Sequence, residues 1–308
     1  MSVFIGIDVA KATLAVAIRP TGERFEVGND AAGHKVLAER LRDLPVERIV
    51  LEATGGYERA VLVALAGTWP VVRVAPHRAR AFATAMGRIA KTDPIDAAML
   101  AHLAEVIDAP PARVESPQQR LLQGLVQRRG QLVQQRDDER RRLQQANGTA
   151  VVASLKRQLR SLVADIVRLD RAIAHAVAET DSALARQLDA VPGIGPVTTA
   201  TVVAFLPELG QLERREIAAL VGVAPYNVDS GEKRGKRRIR GGRAGVRHVL
   251  YMATWSAIRT QADLKRHYQV LRAKGKCAKV AVVACMRVLL VRLNAMVRDG
   301  ATWKMQPS

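Results

Sequence analysis

VFIGIDVAKATLAVAIR, residues 3–19, alternates apolar and polar positions and breaks near Lys11 and Ala12. That is the pattern of two strands joined by a tight turn. Asp8 stands inside the first run among Ile and Val, where an ionised carboxylate is costly unless it is paired or metal-bound. Working outward, a third strand is expected at 24–27, a helix at 33–44, the strand RIVLEAT at 48–54, a helix at 57–66 and the strand VVRVA at 71–75. Helices follow at about 77–86 and 94–106. Strands first, then strand and helix in alternation, predict an α/β domain with a mixed sheet over residues 1–110.

Residues 111–183 read as long helices without strand signals, a coiled-coil connector. Val152, Leu155, Leu159, Leu162, Ile166, Leu169 and Ile173 step alternately by three and four, an a/d heptad seam. Asn147-Gly148 is the turn of a helical hairpin. An antiparallel pair within one chain and a dimerisation arm both bury this seam, and the sequence leaves the two open. Residues 184–308 read as a mainly α domain with Gly- and Pro-marked turns, a loop at 226–245 and two closing helices.

Charge divides along the same lines. The formal charge is +19, yet residues 1–110 carry 13 Lys and Arg against 13 Asp and Glu, whereas residues 181–308 carry 22 against 9. The surplus therefore belongs to the later part and points to a polyanionic partner. Cys277 and Cys285 lie in helical sequence with no Cys/His cluster, as expected of a reduced chain. The N-terminus carries no basic leader, and Arg287 and Arg292 interrupt the last apolar run. A soluble cytoplasmic protein, not a membrane one, is expected.

The acids of the first domain need a local reason. Glu52 closes the strand of IVLEATGG, and Asp93 and Asp96 in KTDPIDAAML are spaced i,i+3 on one helical face. For Asp93 and Asp96 alone, an N-cap ahead of Pro94 and a capping box explain the pair more simply, and Glu52 has Lys11 or Lys91 as possible partners. Together with Asp8, the four match the hard-oxygen needs of Mg²⁺ or Mn²⁺ beside a phosphodiester.

In the basic domain, VPGIGPVTTATVVAFL at 191–206 sets Gly193 and Gly195 in a turn before a helix, similar to a helix-hairpin-helix whose backbone N–H groups approach a phosphate. KRGKRRIRGGRAGVR at 233–247 has eight basic residues and no acid. Lys233, Arg234, Lys236, Arg237, Arg238, Arg240, Arg243 and Arg247 are its candidate phosphate contacts, although such a run is often only a solvated loop. Ser230-Gly231 adjoins it. Asp-Ser-Gly is an ordinary turn, and a serine hydroxyl is a weak nucleophile until activated. Asp229 either orients Ser230 or repels a phosphate. Aromatics make up 4% of residues, too few for a base-stacking platform, so Tyr226 and the segment YMATWSA are read as core.

The order of acids resembles the RNase H-like (RuvC-like) nuclease fold. GIDVAKATLAVAI, LEATGGYE, KTDPIDAAMLA and the stretch ALVGVAPYNVDSGEKRGKRRIRGGRAGVRHVLYMATWSA resemble the DEDD-type transposases of insertion-sequence family one-ten, the bridge-RNA-guided recombinases, over roughly residues 3–298. The resemblance implies that Asp8, Glu52, Asp93 and Asp96 hold a metal and that Ser230 joins covalently to a DNA phosphate. It also implies an element-encoded guide RNA, and a homodimer or homotetramer is expected. No GxxxxGK[ST] loop occurs, so nucleotide use is not implied. Two readings compete: a hydrolytic junction resolvase or nuclease using the four acids only, and a non-enzymatic nucleic-acid scaffold.

Overall fold

The computed structural model describes residues 2–87, 93–227, 229–230, 233–235 and 237–303, with the side chains of 93–95, 229–230 and 233–234 left aside. The chain forms two compact units, Met1–Glu115 and Ser116–Ser308.

In the first unit the residue 3–19 stretch folds as the antiparallel strands β1 (Val3–Val9) and β2 (Thr13–Arg19). With β3 (Arg24–Gly28), β4 (Val46–Glu52) and β5 (Val71–Val74) they form one mixed sheet of order β3-β2-β1-β4-β5. Antiparallel pairing holds β1, β2 and β3, and parallel pairing adds β4 and β5. The helices are α1 (Ala31–Leu41), α2 (Glu58–Leu65), α3 (Pro76–Ala85) and α4 (Asp93–Val106).

Side-chain alternation then sorts the two faces. Ile5, Ile7, Leu14, Val16, Ile49 and Leu51 point to one side and pack with Leu37 and Leu41 of α1 and Val61 and Leu65 of α2. Val50, Val72 and Val74 point to the other side and meet Leu100 and Leu103 of α4 and Phe82 of α3. On that second face Gly6, Ala17, Ala97 and Ala101 let α4 approach the sheet backbone. A Cβ on Gly6 would stand 2.1 Å from both the Ala97 carbonyl oxygen and the Ala101 nitrogen.

The second unit is helical: α5 (Pro117–Gln145), α6 (Thr149–Asp189), α7 (Pro196–Phe205), α8 (Arg214–Val221), α9 (Ala244–Thr260), α10 (Ala262–Ala273) and α11 (Ala278–Arg298). The pair α5 and α6 packs within the chain across Leu132, Leu162 and Ile166. Its base is tied to the core, because Leu122 is fully buried there. Gln119 and Gln123 also donate to the Val203 and Ala204 carbonyls at the end of α7, which a helix end otherwise leaves to solvent. Asp181 interrupts α6 with φ −160° and accepts a hydrogen bond from the Leu184 N–H, capping the segment that follows.

Two expectations differ. The 226–245 stretch, read as loop, carries with Pro225 a set of two-residue strands among its described residues: β6 (Pro225–Tyr226), β7 (Asp229–Ser230), β8 (Lys233–Arg234) and β9 (Arg238–Ile239), paired β6 with β9 and β7 with β8. Two residues are too few to show an alternation. Tyr226, read as core, is 40% exposed because β6 lies on this ribbon and not under it. By length and composition α11 could cross a membrane, but Val282, Cys285, Leu289 and Leu293 lie in the core of the second unit.

Candidate functional site

Register and helix direction bring the elements that carry the first unit's acids to one end of the sheet. Ile7 pairs with Leu51 across parallel β1 and β4, so Asp8 and Glu52, one residue further on, end neighbouring strands. Each stands two residues beyond a residue of the α4 face, Gly6 and Val50 respectively, and so shares that face. At the opposite end of β4, Arg48 donates to the Ala104 carbonyl at 2.9 Å and also to that of Ile107. Those carbonyls belong to the C-terminal end of α4, where a cation is favoured. The helix therefore runs against β1 and β4, and its first turn, with Asp93 and Asp96, lies toward the carboxylate end of the sheet. Asp8, Glu52 and Asp96 are half-buried.

Among the described residues no three His, Cys, Asp or Glu side chains form a group that could hold a metal ion. The Asp93 side chain lies outside that description. The elements thus converge, while the described carboxylates do not by themselves close into a coordination shell.

Three side chains that the sequence reading passed over shape this end. Asn29 donates from Nδ2 to the carbonyls of Ala10 (2.8 Å) and Tyr57 (3.2 Å), linking the segments that follow β1 and β4. His34 Nε2 lies 2.9 Å from Asn29 Oδ1. Burial lowers the His34 pKa from its usual 6.5 against the opposing charge of Asp30, so a neutral ring donating from Nε2 fits. Glu58, 4% exposed, accepts from the N–H groups of Thr54 (3.1 Å) and Gly56 (2.9 Å) and faces Arg73 at 3.7 Å. The second acid of LEATGGYE therefore organises the turn after Glu52. Asn before a helix and Glu six residues after a strand-end acid are weak signals, since either serves as an ordinary cap.

The second unit sorts its basic residues. Arg243 forms a two-pronged ion pair with Glu208 (2.5 and 2.6 Å) and donates to the Phe205 carbonyl at 2.7 Å. Arg247 donates to the carbonyls of Gly241 (2.6 Å) and Val221 (3.2 Å). Both are turned toward protein. Arg237, Arg238 and Arg240 are exposed, and Lys236 lies outside the described residues.

Ser230 pairs with Lys233, and Asp229 with Arg234, across β7 and β8, which sets the candidate nucleophile on a basic ribbon. Gly193 sits at φ +96°, a conformation that favours glycine, and a Cβ there would stand 2.6 Å from the Ala257 nitrogen of α9. Gly195 caps α7 and faces open space.

Comparison with known proteins gives the geometry a family. A family model described as "Transposase", of the DEDD type named for insertion sequence IS110, matches residues 5–146. A second, described as "Transposase IS116/IS110/IS902 family", matches residues 185–269. The chain is 26% identical to a "Pilin gene-inverting protein" of Moraxella lacunata over 96% of both chains, and equally so to that of Moraxella bovis. An insertion element IS116 uncharacterized protein of Streptomyces clavuligerus is 29% identical over 49% of this chain and 38% of its own length. Two models of one family together match more than half of the sequence, and the chain belongs to that family: it is a DEDD-type insertion-sequence transposase, a DNA transposase or recombinase enzyme.

Proposed function

We propose that the protein exchanges DNA strands through a covalent phosphoserine, with Ser230 as nucleophile and Asp8, Glu52, Asp93 and Asp96 holding Mg²⁺ or Mn²⁺. The observation that carries this reading is the shared end of β1, β4 and α4 on one sheet face. The strand order β3-β2-β1-β4-β5, with β1 central, supports an RNase H-like first unit. A set of purely carboxylate donors suits a hard cation. When bound, such a cation would stabilise charge building on phosphodiester oxygens.

In the first transfer Ser230 Oγ forms a bond to phosphorus while the bond to one deoxyribose oxygen breaks, and that oxygen leaves with the proton the serine gives up. A free DNA hydroxyl then attacks the phosphoserine, and the serine regains a proton as it departs. One phosphodiester is exchanged for another, so no nucleotide hydrolysis is required. The exposed Arg237, Arg238 and Arg240 flank Ser230 in sequence and offset charge on the five-coordinate phosphorus.

The relatives' name favours exchange over hydrolysis, since inverting a gene segment requires every cut strand to be rejoined. An element-encoded guide RNA and a homodimer or homotetramer complete the reading, and RNA retained through purification in gentle salt checks the former. The main test is a denaturing gel of protein with labelled DNA and Mg²⁺. Wild type gives a protein-DNA adduct that Ser230→Ala abolishes. An adduct that survives Ser230→Ala, or nicking by water that survives it, overturns the mechanism.

A further inference from the structure

A groove of about 1500 Å³ opens on the second unit between the first turn of α8, the β6–β9 ribbon and the N-terminal half of α11. Its floor is aliphatic, with Val223, Val280, Val283, Val288 and Val291 among the lining residues. Its rim is cationic: Arg214, Arg215, Arg237, Arg238, Lys279 and Arg287. None of these six has a side-chain hydrogen bond or ion pair among the described residues, and no Asp or Glu lines the groove there. Arg292, which also lines it, is held by Asp263.

The described acids nearby in sequence have other partners. Glu208 takes Arg243, Asp299 takes Arg298, Asp189 accepts from Thr199, and Glu213 and Glu216 close the capping box of α8. Among the described residues the fold thus pairs its structural cations and leaves these six without an ion pair, at the cost of like-charge repulsion. An anionic occupant relieves that cost.

We infer that this groove seats a single strand of DNA, its phosphates on the rim and its deoxyriboses and base faces on the valine floor. The assignment rests on the recombinase reading, in which a cut DNA strand leaves one partner and is joined to another. A few unstacked nucleotides fit a space of this volume, and a cationic rim over an apolar floor is what a single strand's phosphates and base faces require. RNA recognition uses polar contacts to the 2′-hydroxyl, and the described lining has no Ser, Thr, Asn, Gln, Asp or Glu, which leaves His267 as its one polar side chain besides the Arg and Lys groups that phosphate engages. None of these groove residues other than Arg237 and Arg238 belongs to the basic run that the sequence singles out.

The groove carries its own reporter. Cys277 is exposed on its lining, while Cys285 is fully buried and burial pushes its thiol up to about 11. Maleimide labelling of the full chain therefore reads Cys277 alone. Single-stranded DNA is expected to slow that labelling at least about tenfold, with duplex, RNA of the same sequence and polyglutamate having little effect. The Arg214→Ala/Arg215→Ala/Lys279→Ala variant, altered only at exposed positions, is expected to bind single-stranded DNA about tenfold more weakly. Its salt slope should be shallower by about 2, since each phosphate contact on a single strand contributes about 0.7. Its duplex affinity should be unchanged. Absent protection, equal protection by RNA or polyglutamate, or unaltered binding by the variant overturns the assignment. A Ser230-independent adduct sinks the recombinase reading and is scored separately, because labelling of Cys277 does not depend on Ser230.

Discussion

The first unit has few charged groups at its candidate site and the second has many, and the two handle charge in opposite ways. In the first, position is set by backbone: register places Asp8 beside Glu52, and the missing side chain of Gly6 lets α4 bring its first turn to them. In the second, a run of similar cations is divided by its partners. Arg243 and Arg247 bind the protein's own carbonyls and Glu208, while Arg237 and Arg238 line an open groove. Charge in a sequence therefore does not assign a role. A cation with protein acceptors in reach maintains the fold, and one without them is available to phosphate.

The sharpest way to break this contrast is at Gly6. In Gly6→Val the added atoms collide with α4 backbone, which cannot swing aside as a side chain can. Overpacking of this kind costs about 3 kcal/mol or more, read as a lower urea midpoint for the first unit. The acids should lose their common end with it, so strand transfer should vanish. A variant as stable and active as wild type would show that α4 is not held where described.

A smaller effect sharpens the division among arginines. Arg243→Ala removes a two-pronged pair and a carbonyl contact, and hydrogen bonds to charged groups are worth about 2 kcal/mol, seen in urea unfolding of the second unit. Arg238→Ala removes the same charge with stability unchanged and weakens DNA binding instead. Equal behaviour of the two variants in both measurements would erase the distinction.

The smallest effect concerns pH. Burial works to raise the Asp263 carboxyl, but the hydrogen bond and charge of Arg292 and the Leu264 N–H outweigh it and hold the group below its usual 3.8. A folded value below the unfolded one gives stability that is present above pH 3.8 and lost as pH falls through the folded value. Unfolding curves of Asp263→Asn should therefore be flatter than those of wild type in that acid range.

Much of this was legible in the chain. Alternation in residues 3–19 and the strand RIVLEAT located β1, β2 and β4 to within a few residues, because one buried face leaves a period of two. The heptad seam located α6, and the intramolecular pairing with α5 answers half of what the seam left open, since packing partners are not written in a period. The two-residue strands beside Ser230 were not legible, for such ladders are set by turns and not by pattern. Nor was the groove, whose rim draws on α8, the ribbon and α11 from segments up to 73 residues apart between Arg214 and Arg287. Asn29 and Glu58 were hidden because their partners are backbone groups, which every sequence offers equally.

The acids of the sheet end are the point on which the reading turns, and iron can report on them directly. Fe²⁺ exchanged into the full-length protein with ascorbate and peroxide cuts backbone close to the bound ion. Cuts confined to the neighbourhoods of Asp8, Glu52 and the start of α4, suppressed by excess Mg²⁺ and absent in Asp8→Asn, are the expected pattern. Scattered cleavage, or cleavage indifferent to Asp8→Asn, would contradict a shared cation site.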